Sequence, residues 1–375
     1  MYVVAAVLAL LLAANGESRE DSPPSGSLPV PSGNIAIGRR SLTLTRSVSA
    51  GDKRTLAVAL WYPACKHIGS LPAPYFPPDR FDHSLLQDFL GGPEARVVTH
   101  AHDIAKPCSN SVPLLLFSPG LGVPVYSYSA QFEELASNGY VVAAVQHPLE
   151  GVTVLLPHGM KVDAGAEGKT SGIRQEDVDI LANDILFVAG EIERRRLEFG
   201  FGKFLAIGAF GHSIGGVVAL RSCELDKRVK ACLSDDGMYD RKPFFSLPRE
   251  GVGQPFLVLA ESNPGLSERT LASTHMTRAE FVAEEMRPEG LTRQMYEAGS
   301  RGSYLVIIAT PDVDHMSFTD LPLVKSSSAE SLRTFNIIVG ITCRFFDTFV
   351  KRTVATFAPE ATDEVAVFKF QPARR

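Results

Sequence analysis

Positive charge is in short supply. The chain of 375 residues carries 37 Lys and Arg against 42 Asp and Glu, a formal net charge of −5, which removes the electrostatic case for a nucleic-acid partner. None of the five cysteines, at positions 65, 108, 223, 232 and 343, forms a Cys-x-x-Cys pair, so no zinc or thioredoxin-type site is indicated. No internal repeat occurs. The apolar run Val3 to Ala14 is too short for a bilayer-spanning helix, which needs about 20 residues.

That run suits the apolar region of a secretory signal, with small residues at Ala14 and Gly16 for cleavage, although no Lys or Arg precedes it. No Cys follows it, which argues against a lipoprotein anchor, and Met1-Tyr2 excludes N-myristoylation. The expected organisation is a signal peptide over 1–16, a flexible Pro-, Ser- and Gly-rich leader over 17–33, and one domain over 34–375 with excursions at about 63–113 and 263–302. Such a product would be secreted or periplasmic. In that compartment Cys65 and Cys108, which bracket an irregular segment, are candidates for a disulfide, whereas Cys223, Cys232 and Cys343 read as buried thiols.

What is present has a clear rhythm. Ile35–Thr45 and Thr55–Tyr62 read as strands around a turn at Gly51-Asp52. After the excursion, buried-strand runs at Val112–Ser118, Tyr140–Val145 and Lys203–Phe210 alternate with helices at Tyr128–Asn138, Gln175–Arg195 and Ile214–Cys223. Further strands are expected at Val229–Leu233, Pro255–Ala260 and Ser303–Ala309. A last helix is announced by a capping box, Ser327-Ser328-Ala329-Glu330, and carries Phe335, Ile338, Ile341, Phe345 and Phe349 on one face. This alternation predicts an α/β fold with a mostly parallel central sheet flanked by helices, whose functional residues follow strand ends.

Gly211-His212-Ser213-Ile214-Gly215 fits Gly-x-Ser-x-Gly between an apolar strand and a helix, the setting of an α/β-hydrolase nucleophile. Residues without a Cβ are needed two places either side of Ser213 because the backbones crowd there. In the chain order Ser, Asp or Glu, His, the base follows the last strand, where His315 stands. Of the other histidines, His212 reads as packing and His147 follows a strand that precedes the nucleophile. His67, His83, His100, His102, His158 and His275 lie in excursions. His100-Ala101-His102-Asp103 lacks the further histidine of a metallohydrolase site, so no metal or cofactor is implied. For the acid, Asp236 ranks ahead of Asp235 and Glu261; all three end strands after Ser213. Phe117-Ser118-Pro119-Gly120-Leu121-Gly122 is the expected oxyanion loop, with main-chain donors at Leu121 and Ile214.

Together with Trp61-Tyr62-Pro63, Gly139 to His147, Leu233 to Met238 and His315-Met316-Ser317-Phe318-Thr319-Asp320, these motifs resemble the platelet-activating factor acetylhydrolase family, lipase-like enzymes, over roughly Ser41 to Phe349. The family often has His where Pro119 stands and Phe where Ile214 stands; neither change removes a backbone donor. The resemblance implies a serine esterase acting on short sn-2 acyl chains of phospholipids, and its placement of the acid supports Asp236. It also implies a small-molecule or lipid ester substrate and transient contact with a membrane or lipoprotein surface, and leaves the oligomeric state open. A general short-chain carboxylesterase or polyester hydrolase is the alternative, and a non-catalytic binding protein with the same fold the second. The walls of the acyl pocket are expected from Pro63–Pro113, His147–Gly172 and a lid-like segment, Asn263–Gly302.

Overall fold

The computed structural model describes residues 26–48, 53–65, 72–77, 97–108, 111–148, 154–155, 161–162, 174–237, 252–262, 277, 302–326 and 328–370. The expected signal-peptide segment 1–16, nearly all of the 263–302 segment and most of 147–172 lie outside the described residues. In chain order the elements are β1 (Ala36–Ser47), β2 (Lys53–Ala64), β3 (Ala101–Asp103), β4 (Ser111–Ser118), α1 (Ser129–Ser137), β5 (Val141–Gln146) and the two-residue strands β6 (Val154–Leu155) and β7 (Lys161–Val162). There follow α2 (Gln175–Arg194), β8 (Lys203–His212), α3 (Ile214–Leu225), β9 (Val229–Asp235), β10 (Phe256–Glu261), β11 (Ser303–Ile308), α4 (Leu321–Lys325), α5 (Ala329–Phe346) and β12 (Val365–Phe370).

Ten strands form one sheet in the order β12-β11-β10-β9-β8-β4-β5-β2-β1-β3. The run from β5 through β4, β8, β9 and β10 to β11 is parallel throughout, as the alternation of strands and helices requires. Antiparallel pairs join β1 to β2, β2 to β5 and β11 to β12. This is the α/β-hydrolase architecture. The expected strands and helices all occur, with ends displaced by one or two residues, except that α5 ends at Phe346 and Phe349 lies in a π-helical turn, Asp347–Lys351, beyond it.

Both faces are covered, because a parallel sheet has no face it can leave wet. On one face α2 and α3 bury Leu181, Ile185, Val188, Val217 and Leu220 against Leu114, Leu116, Val141 and Val145 of the sheet. On the other, α1 and α5 bury Phe132, Leu135, Ile338 and Phe345 against Leu115, Phe117 and Phe210. Phe117 has its ring centroid 4.7 Å from those of both Tyr128 and Phe132, so the end of β4 is clamped by aromatic contacts just before the predicted oxyanion loop.

Four expectations need correction. The leader is docked from Gly26 onward: Leu28 is buried, its N–H donates to the Val98 carbonyl at 3.0 Å, and Val98 N–H returns a bond to the Gly26 carbonyl at 3.0 Å. The irregular excursion contains β3, paired in parallel with β1, and the C-terminal stretch supplies β12; both are short edge strands that form only because a neighbour offers unpaired backbone. The α5 cap is Ser328, not Ser327; its hydroxyl accepts the Ser331 N–H at 3.0 Å. Finally, Cys223 and Cys232 are not thiols but a disulfide, Cα to Cα 6.3 Å, because the last turn of α3 lies directly over β9. The predicted pair Cys65–Cys108 is bridged, Cα to Cα 4.7 Å, and Cys343 alone is free among the described cysteines. Among the described residues, no helix is long and apolar enough to cross a membrane.

Candidate active site

Ser213 stands between the end of β8 and the first turn of α3 with φ 55° and ψ −123°. A side chain held at positive φ costs of order 1–3 kcal/mol and persists only where its surroundings impose it. Here the surroundings do. Ser213 N–H donates to the Asp235 carbonyl at 2.9 Å, and α3 departs at once. A Cβ on Gly215 would collide with the Ser118 carbonyl oxygen, and one on Gly211 with the Gly215 backbone, so β4, β8 and α3 meet here at glycine-only distance. Ser213 is 4% exposed, and the first amides of α3 lack intrahelical partners.

The loop after β11 places His315 with its Nδ1 2.5 Å from Asp236 Oδ2. Asp236 follows β9 at φ 49°, a turn that swings its carboxylate away from the strand, and its N–H is tied to the Leu259 carbonyl at 2.8 Å. Because the carboxylate accepts the Nδ1 proton, Nε2 becomes the basic nitrogen of the ring. Of the other two acid candidates, Asp235 is engaged elsewhere and Glu261 meets Asp236 through its backbone. Asp235 is one residue earlier on the strand and so faces the opposite side, fully buried under α1, where its Oδ2 accepts from Gln131 Nε2 at 3.2 Å. Burial pushes its carboxyl up to about 7. Glu261 contributes its main-chain N–H to Asp236 Oδ1 at 3.3 Å.

His212 joins the segments that carry Ser213 and His315. Its ring lies 4.4 Å from that of His315, its Nε2 is 2.9 Å from the His315 carbonyl oxygen, and its Nδ1 is 2.9 Å from Tyr128 Oη. Burial, reinforced by His315, holds its pKa well below the ordinary histidine range. Tyr128 Oη also accepts the Gly120 N–H at 3.0 Å, and a Cβ placed on Gly120 would lie 3.3 Å from that of Ser213. The loop carrying Leu121 is thus seated beside the serine, and Ile214 opens α3 on the other side. His100 is bonded through Nε2 to the Leu28 carbonyl, Asp103 pairs with Arg39, and His147 is buried against Ser118 and Asp184. His67, His83, His158 and His275 lie outside the described residues.

Tyr128, Gln131 and Asp184 carried no sequence signal, and Ser118 entered only as part of the Phe117–Gly122 loop. Nothing in their local pattern separates them from neighbouring polar residues, and only the crossing of elements far apart in sequence reveals a partner.

A family model described as platelet-activating factor acetylhydrolase, isoform II, matches residues 24–154. That span holds the Trp61-Tyr62-Pro63 motif and the Phe117–Gly122 loop, and stops short of Ser213, Asp236 and His315. A probable 1-alkyl-2-acetylglycerophosphocholine esterase of Arthroderma benhamiae is 27% identical over 237 residues, 57% of this chain and 60% of that protein. The platelet-activating factor acetylhydrolase of Gallus gallus is 29% identical over 162 residues, 40% of this chain and 37% of that one. The matches therefore span less than two thirds of the length of these curated relatives. A ferulic acid esterase from Streptomyces cinnamoneus superposes with a TM-score of 0.70 at 25% identity, covering 92% of this chain and 99% of that one. The chain has the α/β-hydrolase fold, and its resemblance to the platelet-activating factor acetylhydrolase family holds in the family model and in both curated relatives.

Proposed function

We propose that this protein is a serine esterase that hydrolyses short sn-2 acyl chains of phospholipids through an acyl-enzyme on Ser213. His315 takes the Ser213 proton as Oγ attacks the ester carbonyl; Asp236 holds the imidazole tautomer and stabilises the imidazolium. The Leu121 and Ile214 amides bind the tetrahedral oxyanion, where preorganised donors are worth about 3–4 kcal/mol each. His315 returns the proton to the leaving alkoxide. It then activates a water that releases the acid and regenerates Ser213.

The observation that carries this reading is the 2.5 Å contact of His315 Nδ1 with Asp236, in a loop that is itself hydrogen-bonded to the residue before a strained Ser213. The acyl-transfer chemistry rests on that arrangement, the phospholipid substrate on the resemblance. The ferulic acid esterase neighbour favours a second reading, a carboxylesterase for simple or aromatic esters. Export is part of the proposal, and two disulfides among the described residues suit an oxidising compartment.

The deciding experiment is an acyl series, acetyl to palmitoyl on one leaving group, beside sn-2 acetyl and sn-2 long-chain phosphocholines. Rates should decline gradually beyond butyryl, since an apolar pocket discriminates by only about 1–3 kcal/mol per methylene, and sn-2 acetyl phosphocholine should be turned over. Turnover of simple or feruloyl esters with none of the acetylated phospholipid would favour the second reading. Failure of a fluorophosphonate to label Ser213 would sink both.

A further inference from the structure

A second Ser-His-Asp constellation lies beneath the first. Ser118 ends β4, His147 follows β5, and Asp184 sits in α2; all three side chains are fully buried. His147 Nδ1 is 3.1 Å from Asp184 Oδ2 and its Nε2 is 3.1 Å from Ser118 Oγ. Asp184 is held by Arg54 at 2.7 Å and by Arg46 at 2.9 Å, from the two strands of the β1–β2 hairpin. The hydrogen bonds have one consistent direction. A carboxylate can only accept, so Nδ1 carries the imidazole proton, Nε2 presents a lone pair, and the Ser118 hydroxyl donates to it.

Complete burial rules this serine out as a second nucleophile, because no ester can reach it. Its place in the chain gives it another use. Ser118 immediately precedes Pro119-Gly120-Leu121, and its carbonyl oxygen packs on the Gly211 and Gly215 backbones that shape the Ser213 turn. A shift of Ser118 therefore moves both main-chain oxyanion donors relative to Ser213. We propose that the Asp184–His147–Ser118 relay, anchored by Arg46 and Arg54, fixes the oxyanion loop for turnover, so that Ser118 and His147 are positioning residues of the reaction. This rests on the esterase reading above. Burial holds His147 below the ordinary histidine range, against the opposing pull of Asp184. For Asp184, burial pushes up, but bonds from His147 and Arg54 outweigh it and keep the carboxylate charged.

The test uses the full-length protein with active sites counted by fluorophosphonate and short p-nitrophenyl esters as substrate. Ser118→Ala removes the donor with almost no change in volume. It should lower kcat by about 10–100-fold, the usual effect of losing a partner that orients an active-site group. KM should stay within about twofold, since the oxyanion donors act in the transition state rather than on bound ester. His147→Ala should add little in the Ser118→Ala background, because both break one relay. If His147→Ala does not fold, Ser118→Ala alone decides. A Ser118→Ala enzyme with kcat within about twofold of wild type, or one altered in KM alone, overturns the relay. Losses that simply add in the double variant do the same. An inactive, unlabelled wild type overturns the esterase reading and the relay with it, whereas an active wild type beside an undiminished Ser118→Ala overturns the relay only.

Discussion

The imidazoles of His212 and His315 lie with centroids 4.4 Å apart and planes tilted by 38°, and the inner ring reaches the carbonyl oxygen of the outer residue at 2.9 Å. That carbonyl can only accept, so His212 carries its proton on Nε2 and takes the Tyr128 hydroxyl proton at Nδ1. Tyr128 in turn accepts the Gly120 amide. One chain of hydrogen bonds thus ties the loop at Gly120, the turn at Ser213 and the loop at His315 together. It needs His212 neutral, which its burial ensures.

Removing the hydroxyl that joins these loops should slow turnover without unfolding the protein. Tyr128→Phe is expected to lower kcat by about tenfold, in the range for loss of an orienting partner, with KM nearly unchanged. Steady-state kinetics on a short ester checks it; an unaltered kcat would show that packing alone holds the loops.

The two adjacent aspartates should separate cleanly. Ser213→Ala is expected to reduce kcat by roughly 10⁴ to 10⁶, and Asp236→Asn by about 10⁴ through the wrong imidazole tautomer. Asp235→Asn should stay within about threefold of wild type, because its side chain faces the opposite side of the sheet. Comparable losses in both aspartate variants would refute the assignment of Asp236 as the acid.

Asp235 should instead contribute to the pH dependence of stability, beside Asp320, whose buried carboxyl is raised in the same direction to about 8. The Asp235 carboxyl is raised to about 7 in the folded state from an ordinary 3.8. The folded protein therefore binds more protons than the unfolded chain between these values, and stability falls as pH rises through that window. The full penalty, of order 1–4 kcal/mol, is present above the folded pKa and absent below the unfolded one. Asp235→Asn should raise the melting temperature at about pH 8 relative to wild type, and gain least near pH 4. An equal shift at both pH values would contradict this.

The cysteine pattern predicts a simple thiol count. Denatured, unreduced protein should titrate one thiol, from the half-buried Cys343, which desolvation, with Glu134 and Asp347 adding to it, pushes well above the usual thiol range. Non-reducing peptide maps should recover Cys65 with Cys108 and Cys223 with Cys232. Replacing Cys65 and Cys108 together should cost about 2–4 kcal/mol, the usual contribution of a crosslink closing a loop of some tens of residues. Chemical denaturation measures that loss, and three or more free thiols in the native product would contradict the pairing.

The primary structure by itself determined the parallel sheet, the strand-to-helix turn at Ser213 and the order of the three candidate triad residues. Each is a local pattern: buried apolar runs alternating with helical periodicity, glycines flanking a serine, a histidine beyond the last strand of the series. It also ranked Asp236 first among three carboxylates without the geometry to separate them. Tertiary structure separated them, since strand alternation turns Asp235 under α1 while a left-handed residue swings Asp236 toward His315. The same holds for the pairing of Cys223 with Cys232, the edge strands β3 and β12, and the relay through Ser118, His147 and Asp184. These depend on which helix crosses which strand, and on what a neighbouring edge leaves unpaired. Such contacts join residues whose spacing along the chain follows no period, so only the packed sheet could bring them together.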